Sequence, residues 1–321
     1  MALLLLVAAA SAGAAKQQVV SANPSVFRVN GRVVRPTQGQ MLPVAGQMVT
    51  LHRVGPDSAG PLDSVRAGSD GRFSFHYRRT GSDEAVYFAS ASYEGIAYFS
   101  QPLRRAVETG EAAEITVFDT TSHPVPIHVR GRHLVVSAPS ASTVRSVVEV
   151  FELSNDSSVT MIAPPGGGRR PVWQSVLPSG VEDFHGEQGD VPADAIAARG
   201  GRAQVYAPFA PGLKQLSFGY ALGPSAFPLR LPMESLTSVM EVLLEEPGAR
   251  VEAPGMREVN PVSVSGRTFR RYLAQDLPAS GVVRVMIPPA APNIRPLFIA
   301  AVLTVLGAAM LGTLAYAFLR H

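Results

Sequence analysis

The side chains best suited to chemistry lie in one acidic stretch, Glu182, Asp183, His185, Glu187 and Asp190. Carboxylates and an imidazole this close offer oxygen and nitrogen ligands to a divalent cation, with Asp183, His185, Glu187 and Asp190 as the candidate set. Their order follows no calcium-loop pattern, and a solvated loop carries such charge without any ligand, so no metal is expected. His123, His128 and His133 recur at a constant odd spacing. On a strand, odd spacing sends neighbours to opposite faces, so the three do not converge without a bend. Gly166, Gly167, Gly168, Arg169 and Arg170 imitate a phosphate cradle. A true cradle has Lys followed by Ser or Thr at the start of a helix, whereas Pro164, Pro165 and Pro171 flank this run, which reads as a hairpin loop.

Nucleophile motifs are absent: there is no Gly-x-Ser-x-Gly elbow, no Ser three residues before a Lys, and no His-Glu-x-x-His. The count of zero Cys removes disulfides, thiolate metal sites, c-type haem attachment and cysteine nucleophiles. The chain is therefore expected to be no enzyme and to need no cofactor. Aromatic side chains offer a different chemistry, stacking on a sugar ring or a partner protein. Trp173, beside Val172 and Val176, reads as core; Tyr93, Tyr98 and Phe99, around Gly95, are the better surface candidates.

The elements that position these groups have a period of two. Phe73, Phe75 and Tyr77 alternate with Arg72, Ser74 and His76, and Val49 and Leu51 alternate with Thr50 and His52. Turn signals separate such runs: Asn30 with Gly31, Gly39, Gly46, Gly55 with Pro56, Asp70 with Gly71, Gly81 and Gly95. This spacing predicts an antiparallel sandwich over residues 26–120. Thr120, Thr121, Ser122, Pro124 and Pro126 mark a boundary. A second, larger sandwich is expected over residues 127–287, where Leu216, Phe218 and Tyr220 share one face, as do Met240, Val242 and Leu244, and Val283, Val285 and Ile287. Residues 190–200 are the one stretch that reads as a short helix, or equally as a loop.

The first sandwich resembles the carboxypeptidase regulatory-like, or transthyretin-like, family. The resemblance rests on residues 28–33, the run 42–51, the turn-strand Asp70, Gly71, Arg72, Phe73 and residues 89–95. It covers under a third of the chain. It implies an accessory module for binding or spacing, without an active site.

Two apolar runs frame this plan. Residues 3–10 followed by Ser11, Ala12, Gly13, Ala14 and Ala15 read as a secretory signal over residues 1–15, too short to span a bilayer. Residues 297–319 carry no charge between Arg295 and Arg320; as a helix they would extend about 34 Å, enough to cross the roughly 30 Å hydrocarbon layer. Residues 288–296, with Pro288, Pro289, Pro292 and Pro296, read as a stiff spacer. Within the anchor Ala300, Thr304, Ala308 and Gly312 recur at every fourth position, a small-residue face for close helix association in a homo-oligomer or membrane complex. The expected fold class is thus all-β, two tandem antiparallel β-sandwich domains followed by one C-terminal transmembrane helix. The expected location is the cytoplasmic membrane, single-pass, with the bulk on the periplasmic or extracellular side.

Composition agrees with strands: 29 Gly and 27 Pro punctuate 321 residues of which 17% are charged. Of the 28 basic residues only Lys16 and Lys214 are lysines, and 25 acids offset them to a net +3. The arginines are scattered, so nucleic acid is not implied as a partner. The partners expected are the bilayer through residues 297–319 and an envelope protein or glycan. The leading reading is a non-enzymatic, membrane-anchored envelope protein that presents β-sandwich modules for binding or scaffolding. The rivals are an accessory subunit of a membrane redox or cytochrome c assembly complex, suggested by a weak resemblance of overall plan to bacterial envelope proteins, and a metal-dependent hydrolase built on the His185 stretch.

Overall fold

The computed structural model describes residues 26–139, 143–164 and 170–287. The expected signal over residues 1–15, the spacer 288–296, the anchor 297–319 with Ala300, Thr304, Ala308 and Gly312, and the glycines of the 166–170 run lie outside the described residues. Regular structure among the described residues is all β, apart from two single turns of 3-10 helix at Ala193–Ala195 and Pro224–Ala226. The stretch that read as a short helix is a correction: after Ala193–Ala195 the chain extends at once into the strand Ile196–Arg199. Pro192 starts that turn without a side-chain cap, and the turn has no fully buried residue of its own, so too little packing holds it for a helix to propagate.

Two compact units divide the chain. The first runs to Arg35 and includes Met41–Ser92 and Ala97–Val117; the second comprises Pro36–Gln40, Tyr93–Ile96 and the chain from Phe118 onward. The first unit contains two four-stranded sheets. In one, Val26–Thr37 lies between Arg72–Arg78, antiparallel, and Val107–Thr116, parallel. In the other, Met48–Val54 lies antiparallel between Ala59–Arg66 and Val86–Tyr93, with Ile96–Phe99 beyond.

Alternation works as the sequence predicts in both sheets. Phe73, Phe75 and Tyr77 are buried while Arg72, Ser74 and His76 are exposed, and Val49 and Leu51 face the same interior as Tyr87, Ala89 and Ala91. Tyr77 stacks on Tyr87 at 5.1 Å between ring centres. Burying each large side chain of this kind contributes about 1.5–3 kcal/mol. The Asp70–Gly71 turn also stands: Gly71 has φ +75°, and Asp70 Oδ1 accepts the Arg72 N–H at 3.1 Å. Asn30 and Gly31 do not form a turn. They lie in mid-strand, and the reason is packing: a Cβ on Gly31 would stand 2.2 Å from Phe73 Cζ and 2.2 Å from the Ala113 carbonyl oxygen.

The second unit is built on a seven-stranded sheet. Its order is Val181–Gly186, Gly212–Leu222, Arg145–Asn155, Ile127–Val136, Thr237–Leu244, Arg267–Leu277 and Arg257–Val264. One face carries Leu134, Phe151, Leu216, Phe218, Val242 and Leu244 in the main core. Two three-stranded sheets supply the opposing side of that core through Ile196, Val205, Leu231, Val283 and Val285. The other face holds a smaller cluster of Val135, Val148, Val150, Leu243, Val264 and Phe269.

One sheet of the first unit and the seven-stranded sheet of the second are mixed rather than purely antiparallel, which corrects the expectation for them. Val26–Thr37 pairs parallel to Val107–Thr116, and Ile127–Val136 pairs parallel to Thr237–Leu244. Period-two alternation reports which side chains share a face and carries no information on strand direction. Parallel neighbours need a long crossover, and both pairs are separated by many intervening strands.

Candidate functional site

The acidic stretch comes together only in part. His185 Nδ1 is 2.7 Å from the Asp183 carbonyl oxygen, and Nε2 is 3.0 Å from Glu187 Oε1. Asp190 is tied elsewhere, its Oδ2 accepting the Gln215 N–H at 2.8 Å. Among the described residues no group of three or more His, Asp or Glu side chains is placed to hold a metal ion. The three histidines have three different settings. His123 is exposed, His128 sits 3.6 Å from Asp156 on the surface, and His133 is buried against Glu241.

Trp173 packs edge-on against Phe151 at 4.9 Å and belongs to the margin of the main core. Of the three aromatics around Gly95, Tyr93 donates its hydroxyl to Asp119 at 3.0 Å, Tyr98 is buried, and Phe99 is 59% exposed. Phe99 is the surface residue of the three because adjacent residues on a strand point to opposite sides.

Phe99 is part of a larger apolar face. On the outward side of the Met48–Val54 sheet, His52 and Phe88 are directly paired across strands, and their rings stack at 5.2 Å with an interplanar angle of 15°. Phe99 meets Phe88 edge-on at 5.7 Å. The cross-strand pair Val54 and Val86 extends this surface, each more than 40% exposed. Hydroxyls border it: His52 Nε2 is 2.8 Å from Ser90 Oγ, and Thr50 Oγ1 is 2.9 Å from Ser64 Oγ. An exposed apolar patch rimmed by polar groups is the kind of surface that proteins use for recognition. The Ser90–His52 contact is also a hydroxyl–imidazole pair. No carboxylate among the described residues hydrogen-bonds the other nitrogen of His52, so the third member that orients a catalytic base is missing from it. Residue types alone did not reveal the patch. The alternation of Val49 and Leu51 with His52 was the signal that could have found it, since it assigns His52 to the outer face.

Ionisable groups inside the second unit were not visible in the sequence. In the main core, Arg132 Nε donates to Glu149 Oε2 at 2.9 Å and the Tyr220 hydroxyl donates to Glu149 Oε1 at 2.7 Å, with Glu149 fully buried. Burial, reinforced by the Glu149 charge, pushes the Tyr220 hydroxyl well above its ordinary range, so it remains a donor. On the opposite face His133 Nδ1 lies 2.6 Å from Glu241 Oε2, and Arg271 Nε donates to Glu241 Oε1. Burial acts to raise the Glu241 carboxyl, but the bonds and charges of His133 and Arg271 outweigh it and hold the group below the usual carboxylate range. Arg132 Nη2 also stands 2.7 Å from Glu149 Oε2, and the geometry of both groups is that of structural ion pairs.

No family model matches the sequence, and no curated protein matches it. Among solved structures, native leukotriene A4 hydrolase from Saccharomyces cerevisiae is similar over 50% of this chain at 12% identity and a TM-score of 0.29. The chain spans 29% of the length of that protein. A likeness at that score supports no inference about fold or function.

Proposed function

We propose that this is a non-enzymatic envelope protein, anchored by residues 297–319, that presents two β-sandwich modules for binding outside the cytoplasmic membrane. The first module is the binding one, in keeping with its resemblance to carboxypeptidase regulatory-like domains. The observation that carries this reading is the outward-facing cluster of exposed Phe99 with half-buried His52 and Phe88. Stacked rings at a fixed tilt, bordered by hydroxyls, suit a glycan, because a sugar ring stacks on an aromatic face and hydrogen-bonds at its rim. Strands hold these rings rigidly, so binding costs little ordering entropy.

The test is full-length protein in mild detergent applied to an array of neutral bacterial envelope glycans, with the variant Phe88→Ala/Phe99→Ala alongside. Loss of one stacking contact corresponds to about tenfold in affinity, and the double variant should lose at least that while keeping its fold. Unchanged binding in the variant, or stoichiometric co-purification with redox or cytochrome-assembly subunits and no glycan binding, refutes the reading.

A further inference from the structure

The first unit contains a second feature, separate from the aromatic face. A cleft of about 620 Å³ opens beside the Val26–Thr37 and Val107–Thr116 pair. The register of that pairing shifts there: Asn30 is opposite Thr109 and Arg32 is opposite Glu114, so the strand bulges over residues 110–113. Arg32, Arg66 and Arg72 line the cleft together with Ser74, Thr109 and Glu114. The volume falls within the roughly 300–1,000 Å³ of small-molecule sites.

Each arginine is anchored at one edge. Arg32 Nε donates to the Asp70 carbonyl at 3.1 Å, Arg66 Nη1 donates to the Gly46 carbonyl at 2.8 Å, and Arg72 Nε stands 3.3 Å from Asp70 Oδ2. A guanidinium is planar with a fixed fork of donors, so one anchored N–H orients the plane and leaves the others for a ligand. Three cations stand against two carboxylates, Asp70 and Glu114, an excess of one positive charge. That balance suits a single carboxylate better than a doubly charged phosphate. Glu114, when ionised, only accepts hydrogen bonds, so the group placed against it must be a donor such as a hydroxyl. Ser74 and Thr109 satisfy further hydroxyls in either sense.

We propose that this cleft binds an acidic sugar, its carboxylate held by Arg32, Arg66 and Arg72 and its ring hydroxyls by Glu114, Ser74 and Thr109. The site does not depend on the aromatic face, and the variant Phe88→Ala/Phe99→Ala should retain it. Titration calorimetry on the full-length protein in detergent, with galacturonate, galactose and inorganic phosphate as probes, tests the idea. Galacturonate should bind at least about tenfold tighter than galactose at low salt, as expected for charge-assisted hydrogen bonds, and that margin should shrink as salt rises. Arg32→Gln/Arg72→Gln should abolish the preference. The Arg72 side chain is 79% exposed, so its replacement leaves the fold intact. Glu114→Gln, which removes a negative charge, should strengthen phosphate binding while the wild type favours galacturonate. Equal affinities for galacturonate and galactose, binding of neither, or a preference that survives in the double arginine variant would overturn the proposal.

Discussion

Replacing Arg132 with Met tests the account of the buried core most directly. Arg132 is 3% exposed, Glu149 is fully buried, and the two are joined by a bond of 2.9 Å. Methionine keeps most of the aliphatic volume beside Phe151, whose ring lies 4.8 Å from the guanidinium, so the change isolates the charge. Among the described residues it leaves Glu149 with only the Tyr220 hydroxyl as a hydrogen-bond partner. Breaking a buried pair from one side costs about 3–5 kcal/mol, because the remaining charge is uncompensated. With a urea slope of about 1–3 kcal/mol per molar, the midpoint should fall by roughly 1–5 M. The chain has a single tryptophan, Trp173, which packs on Phe151 in the same core, so its fluorescence reports this unit specifically. The triple variant Arg132→Met/Glu149→Leu/Tyr220→Phe removes every polar member of the group, and most of the lost stability should return. A single variant that loses less than about 1 kcal/mol would refute the reasoning, as would a triple variant no more stable than the single one.

Two other consequences concern separate parts of the molecule. Gly31→Ala should destabilise the first unit by about 1–3 kcal/mol through overpacking, seen as faster hydrogen exchange confined to that unit while the Trp173 transition stays in place; adding Phe73→Leu should recover part of the loss, because the ring is one of the two groups the new methyl meets. Glu241 titrates below its usual range in the folded protein, so the stability it contributes is present above the unfolded carboxylate value and is lost as the pH falls through the lower folded one. Urea midpoints followed by Trp173 from about pH 6 to about pH 3 should therefore fall less steeply in Glu241→Gln than in the wild type, and parallel slopes would show that Glu241 is not part of the acid response.

Strand class and facing were legible from the amino acids alone. Phe73, Phe75 and Tyr77 announce one buried face, and Leu216, Phe218 and Tyr220 another, because successive strand residues point to opposite sides and the apolar set leaves water together. The turn at Asp70 and Gly71 was legible for an equally local reason, a side-chain acceptor next to a residue free to take positive φ. What required the tertiary structure were contacts between residues distant along the chain. Asn30 and Gly31 have the composition of a turn, yet they run straight through a strand because Phe73 occupies the space a side chain would need. Arg132 and Glu149 look like surface residues until the small sheets close over them. Strand direction, the stacking of His52, Phe88 and Phe99, and the convergence of Arg32, Arg66 and Arg72 on one cleft all follow from which strands become neighbours. Local sequence encodes the period and the punctuation of strands; their adjacency is set by the joint burial of many side chains, which no short window of residues contains.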